Sequence, residues 1–169
     1  MSLIAAPDPA WKRTAAAEID RWRAALPDIV SVHHIGSTAV PGLPAKPVID
    51  RLPVFSDDAA KRAAEAVVRA LGYEWLGANG LEGRAYARWL DPETGARRFH
   101  AHCYALGHPD IRRHLAFRDV LRVNGALRAG YASVKGACAA RHPEGGEAYG
   151  ACKSSWIDQV EARALERET

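Results

Sequence analysis

One stretch constrains this chain more than any other: His34-Ile35-Gly36-Ser37-Thr38-Ala39-Val40-Pro41-Gly42-Leu43-Pro44-Ala45-Lys46-Pro47-Val48-Ile49-Asp50. Ile29-Val30-Ser31-Val32 before it reads as a buried strand. Gly-Ser-Thr ends that strand with two hydroxyls and free backbone N–H groups, which suits a turn facing an anion. The prolines that follow forbid a long helix, so the segment must be a structured loop. Pro47-Val48-Ile49 restarts an extended run that delivers Asp50, an acid among apolar neighbours. A strand, a Gly-Ser turn and a carboxylate on the next strand can hold a polyphosphate and a divalent metal side by side.

Other elements follow from local chemistry. Asp8-Pro9 opens a helix from about Pro9 to Ala25, with Trp11, Ala15, Ile19, Trp22 and Leu26 along one stripe. A second strand spans about Val48 to Phe55. Ser56-Asp57-Asp58 caps a helix carrying Ala60, Ala63, Ala64, Val67, Val68 and Leu71, which ends at Gly72. Strands are expected around Tyr73 to Leu76, Arg84 to Leu90 and Arg98 to Leu106, the last two joined by the turn Asp91-Pro92-Glu93-Thr94-Gly95. From Pro109 onward the periodicity is helical: about Asp110–Val123, Gly125–Ala140, and Glu147 to the end.

The motif run is similar to the signature of the GrpB family, a branch of the nucleotidyltransferase superfamily. The likeness continues through Gly83-Arg84, Arg98-Phe99-His100-Ala101-His102, Arg113 to Asp119, and the spaced Tyr131, Lys135, Tyr149 and Lys153. It covers nearly the whole chain. The resemblance implies an α+β fold, a nucleotidyltransferase-like mixed β-sheet packed by helices with a C-terminal helical segment, as one domain over residues 1–169. It also implies a nucleotide or related phosphorylated ligand. Relatives of this kind are sometimes fused to dephospho-CoA kinase, so a CoA-like ligand fits too.

Within that resemblance, Gly36, Ser37 and Thr38 are expected at the phosphates, joined by Lys46, Arg84, Arg98, Lys135 and Lys153. Gly-Ser-Thr alone would equally make a tight turn with capping hydroxyls. Active superfamily members alternate two carboxylates on the strand of Asp50, so that both reach one metal. Here the next residue on the same face is Leu52. Asp50 therefore has two readings, a metal ligand or a buried acid paired with an arginine. His100 and His102 are two apart on one strand and share a face with Arg98. With Asp50 they make a set of two imidazoles and one carboxylate, able to ligate a metal or to act as base; a bland alternative is half-buried polar surface. The expected ion is Mg²⁺ or Mn²⁺ ahead of Zn²⁺. A second acid from elsewhere, such as Glu74, Glu82 or Asp91, would restore a two-carboxylate site.

Composition narrows the class. The chain has 169 residues, 48% hydrophobic and 25% charged, enough to bury one sizeable core and too apolar for disorder. The net charge is only +3. Arginines concentrate in the second half, at Arg97, Arg98, Arg112, Arg113, Arg118, Arg122 and Arg128, without interleaved stacking aromatics, so a small phosphorylated ligand is favoured over nucleic acid. Cys103, Cys138 and Cys152 lack CxxC spacing and read as thiols in a reducing cytosol. No segment has the make-up of a leader peptide or a membrane span, and a cytoplasmic location is expected. The function divides into two readings: metal-dependent transfer of a nucleotidyl group to a small acceptor, or nucleotide or CoA-like binding without turnover.

Overall fold

A computed structural model describes residues 3–166. It contains helix α1 (Ala10–Ala25), strand β1 (Ser31–Ile35), a 3₁₀ turn (Ser37–Ala39), strand β2 (Ile49–Phe55), helices α2 (Asp58–Ala63) and α3 (Glu65–Ala70), strands β3 (Glu74–Trp75), β4 (Ala85–Leu90) and β5 (Arg97–Ala105), and helices α4 (Pro109–Val123), α5 (Gly125–Arg141) and α6 (Gly146–Glu166). The mixed α+β fold expected from the sequence is present, and every expected strand and helix has its counterpart. The helix expected after Asp57 is interrupted at Ala64, giving α2 and α3. The last helix is described to Glu166, and its expected continuation lies outside the described residues.

Capping chemistry sets several boundaries. The Asp8 carboxylate accepts the Ala10 N–H at 2.8 Å, and Asp57 accepts that of Ala60 at 2.7 Å. Asn124 ends α4 and caps α5, accepting the Leu127 N–H at 3.0 Å.

The sheet order is β1-β2-β5-β4-β3. β2 and β5 run parallel at the centre; the other pairs are antiparallel. A parallel pair needs a long crossover, which α2, α3, β3 and β4 supply. Alternation along the central strands divides the molecule in two. Ile49, Arg51 and Phe55 of β2 and Phe99, Ala101 and Cys103 of β5 face α1–α3, in cores with Trp11, Trp22, Val68 and Tyr73. Asp50, Leu52 and Val54 of β2 and His100, His102 and Tyr104 of β5 face the other side. There Leu52, Val54 and Tyr104 pack on Ile111 and Leu115 of α4. Helices α4–α6 hold their own cluster against the loop after the 3₁₀ turn: Val40, Leu43, Leu121, Tyr131 and Trp156, with Tyr131 and Trp156 stacked at 4.9 Å.

One expectation is corrected here. Cys138 and Cys152 are joined as a disulfide between α5 and α6, while Cys103 remains a buried thiol. The turn at 142–145 folds α6 back along α5 and brings the two Cα atoms to 5.8 Å, a proximity that a spacing of 14 residues does not reveal.

Candidate active site

The register of the sheet assembles the site. Ile35 pairs with Asp50 across β1 and β2, so the turn that follows Ile35 lies beside the carboxylate. Gly36 adopts φ +72°, ψ −169°, a backbone region closed to residues with a Cβ. A Cβ there would sit 2.8 Å from Oδ2 of Asp50, so only glycine allows the turn to press on the acid. Asp50 in turn pairs with His100 across β2 and β5. Nδ1 of His100 and Nε2 of His102 lie 3.2 and 3.3 Å from the same oxygen, Oδ1 of Asp50. The three side chains are partly exposed, at 29% for Asp50, 18% for His100 and 17% for His102. Burial pushes the Asp50 carboxyl up, but hydrogen bonds and charge from the two imidazoles outweigh it and hold the acid well below the usual carboxylate range.

The opposite wall of the cleft carries lysines. A cavity of about 110 Å³ is lined by Ser37, Thr38, Lys46, Asp50, His100, Lys135, Tyr149 and Lys153, among others. Lys135 of α5 is buried and donates to the Pro44 carbonyl. Burial and the neighbouring Lys153 charge push its ammonium down to about 7, against a weaker upward pull from Asp50. Burial and Lys46 push Lys153 of α6 down to about 8, and Lys46 is lowered by burial and by Arg97. The Lys46 and Lys153 ammonium groups lie 4.4 and 4.1 Å from the centre of one ring, that of Tyr149. Three cations thus converge beside one carboxylate. Such an excess of desolvated positive charge is relieved by a polyanion.

Two expected residues lie elsewhere. Arg84 spends its guanidinium on the Ala78 and Asn79 carbonyls and stacks 5.2 Å from the Tyr86 ring. Arg97 and Arg98 are both exposed, and a β-bulge at the β4–β5 turn pairs Leu90 with Arg97. Arg97 is the arginine whose charge reaches Lys46 and Tyr86. Arg113 binds Asp110 and Glu161, and Arg118 binds the His34 carbonyl and Asp119, so these tie α4 to α6 and β1. Asp50 pairs with neither Arg84 nor Arg98 and has imidazole partners, which excludes the reading of an arginine-paired acid.

No second carboxylate enters the cleft among the described residues. Leu52 is fully buried, Glu74 pairs with Arg88, and Asp91 caps its own hairpin turn. Residues missed in the sequence stand behind the histidines. Tyr86, opposite His102 on β4, lies 5.4 Å from both imidazoles, and His114 of α4 lies 5.6 Å from His102. Burial and the charge of His102 push His114 down to about 3. The strand alternation of β4 signals Tyr86; His114 falls within the family-like run Arg113 to Asp119, but no local pattern places it beside His102. His34 donates to or accepts from Thr38 Oγ1 at 2.9 Å, and burial lowers it to about 4. On the far side of this pair opens a larger cavity of about 540 Å³, walled by Pro7, Trp11, Val40 and Pro41 with Lys12 and Arg122.

With the geometry in place, comparison with known proteins identifies the lineage. Residues 3–163 match the family model described as GrpB protein. The UPF0157 protein YqkA of Bacillus subtilis is 38% identical over 138 residues, covering 82% of this chain and 39% of that protein. The UPF0157 protein PA4798 of Pseudomonas aeruginosa is 36% identical, over 94% of this chain and 65% of that protein. This chain therefore spans less than two thirds of the length of either relative. A dephospho-CoA kinase of Mycolicibacterium paratuberculosis is 32% identical across 44% of its length. The crystal structure of GrpB from Enterococcus faecalis superimposes with a TM-score of 0.89, 34% identity and 98% of each chain covered. The Cid1 poly(U) polymerase with Mg and 3'-dATP bound shares the fold, with a TM-score of 0.59 and 16% identity over 88% of this chain and 49% of that one. The nucleotidyltransferase-like fold is thus shown, and the chain belongs to the GrpB family.

Proposed function

We propose that this cleft binds the phosphates of a nucleotide and transfers a nucleotidyl group to a small acceptor. The observation that carries the reading is the convergence of Ser37, Lys46, Lys135 and Lys153 on the cavity that also holds Asp50 and His100. At about 110 Å³ the cavity accommodates phosphates, and the nucleoside would extend outward. Gly36, Ser37 and Thr38 offer N–H and hydroxyl donors to phosphate oxygens. Asp50, His100 and His102 suit a divalent metal, which when bound would neutralise charge on the reacting phosphate. An acceptor hydroxyl would attack the α-phosphorus; the new P–O bond forms as the bond to the bridging oxygen breaks. With the trio holding the metal, the hydroxyl proton would pass to water in the cleft, and pyrophosphate would leave against the lysines.

The missing second carboxylate favours a second reading, in which the same pocket holds a nucleotide or CoA-like ligand without turnover. Both are tested together. Melting temperature is measured with nucleoside triphosphates, tripolyphosphate and CoA, with and without Mg²⁺ or Mn²⁺, followed by an assay for released pyrophosphate. Ligand at a hundredfold its Kd stabilises by about 2.7 kcal/mol. A shift with pyrophosphate release supports transfer; a shift without release supports the binding module. No shift with any phosphorylated compound overturns both.

A further inference from the structure

We infer that Asp50, His100 and His102 form a one-ion site that selects a first-row transition dication (Mn²⁺, Fe²⁺, Co²⁺ or Zn²⁺) over Mg²⁺. The inference deepens the proposed function and rests on its reading of this trio as the metal holder. It departs from the expectation, drawn from the resemblance, that Mg²⁺ ranks with Mn²⁺ and ahead of Zn²⁺.

The donor set is the first argument. Mg²⁺ is a hard ion that takes oxygen ligands, commonly one or two carboxylates with water and phosphate. Imidazole nitrogen suits zinc, iron and their neighbours, and two imidazoles with one carboxylate is a recognised transition-metal set. Here oxygen cannot be supplemented on the strand, because the position where a second carboxylate would stand is Leu52, 0% exposed.

Spacing is the second. The facing nitrogens of His100 and His102 stand 3.2 and 3.3 Å from one carboxylate oxygen, and all three donor atoms lie within 4.8 Å of one another. Donors that share an ion at about 2.1 Å stand roughly 3.0–3.4 Å apart for octahedral or tetrahedral angles. Both nitrogen–oxygen gaps already match, and rotation of the imidazoles can close the third. Glycine at 36 leaves room for the carboxylate in this pose, since a Cβ there would lie 2.8 Å from Oδ2. Three ligands from two adjacent strands leave further positions for ligand oxygen from the cleft.

The surroundings also bound the affinity. The far nitrogens, Nε2 of His100 and Nδ1 of His102, are buried without a hydrogen-bond partner among the described residues. A metal-bound histidine ordinarily donates that second N–H to an acceptor, and losing such a partner typically costs 10–100-fold in affinity. The site is therefore built for an exchangeable ion.

The test is metal binding by the chelator-treated full chain, without nucleotide. Calorimetric titrations with Mn²⁺, Co²⁺, Zn²⁺ and Mg²⁺ are compared, and the visible spectrum of the Co²⁺ form reports nitrogen ligation. The expected result is one transition ion per chain, bound at least about 100-fold more tightly than Mg²⁺. His100→Gln and His102→Gln, checked for wild-type melting, should each lower transition-metal affinity at least tenfold and narrow the preference. Equal affinity for Mg²⁺ and Mn²⁺, or a preference unchanged in both variants, would overturn the inference. Binding of no ion at all would overturn it together with the metal half of the proposed function. Metal-free binding of tripolyphosphate tests the lysine cleft separately, so the two failures are distinguishable.

Discussion

Asp50 and Arg51 are consecutive residues of one strand, and both are charged, yet the sheet places them in opposite worlds. Arg51 points into the α1–α3 core with no solvent exposure. There it lies 3.9 Å from Glu18, donates to the Tyr73 hydroxyl and is flanked by the rings of Trp22, Tyr73 and Phe99. Tyr73 closes the network by donating to Glu18 at 2.6 Å. Asp50 points the other way, into a partly open cleft, with two imidazoles as its partners. The contrast separates two uses of charge: a buried ion held by fixed partners locks one arrangement of the core, whereas a half-exposed ion with exchangeable partners is available to a ligand.

The largest expected effect is on the locked side. Glu18→Gln leaves the Arg51 guanidinium buried without its counter-charge and should cost about 3–5 kcal/mol. For a chain of this size that is a drop of roughly 10 °C in melting temperature. Ligand and metal affinities of the folded protein should be unchanged. A loss below 1 kcal/mol in denaturant titrations would break the comparison from the structural end.

Gly36→Ala comes next, because it strikes the point where backbone and Asp50 meet. The backbone strain alone should cost about 1–3 kcal/mol. The added methyl would also displace the carboxylate, so metal affinity should fall with stability. A stable variant with wild-type metal binding would show that the turn does not set the orientation of Asp50.

How far the sequence reveals this arrangement depends on the range of each interaction. The Gly-Ser turn, Asp50 and the His-x-His pair are local patterns, and two-residue alternation carries them to one face with no tertiary information. Lys135 and Lys153 came from the resemblance, and the return of α5 and α6 over the sheet places them in the cleft. The bulge that pairs Leu90 with Arg97 could not be read, because it depends on how the turn closes. The partners of Arg51 could not be read, since Glu18 and Tyr73 are distant in sequence. The Cys138–Cys152 bond was hidden for the same reason: helix packing, not spacing, brings the sulfurs together.

A smaller effect sharpens the open side. Lys135 and Lys153 are held down to about 7 and 8. A polyphosphate favours their protonated forms, so binding takes up protons once the free lysines begin to lose them. Affinity for tripolyphosphate should therefore be highest near pH 6.5 and fall as pH rises through 7–8, by up to about tenfold per unit for each lysine. Calorimetry in buffers of different ionisation enthalpy should record the proton uptake. Lys135→Met should bind more weakly at pH 6.5 and show a flatter profile; an unaltered profile would remove Lys135 from the phosphate site.

The smallest effect on stability belongs to Asp50, and it tests the central claim most directly. Asp50→Asn and Glu18→Gln are melted side by side, each with and without Mn²⁺. Asparagine keeps an oxygen for the imidazole N–H groups but loses the charge that holds the carboxyl below its usual range. Asp50→Asn should therefore cost some stability at neutral pH without metal, less than Glu18→Gln because the carboxylate is partly exposed. Mn²⁺ should then stabilise wild type and Glu18→Gln but leave Asp50→Asn unmoved. A metal-independent loss of several kcal/mol in Asp50→Asn, with Mn²⁺ shifting none of the three proteins, would contradict the account and make Asp50 a second structural charge beside Arg51.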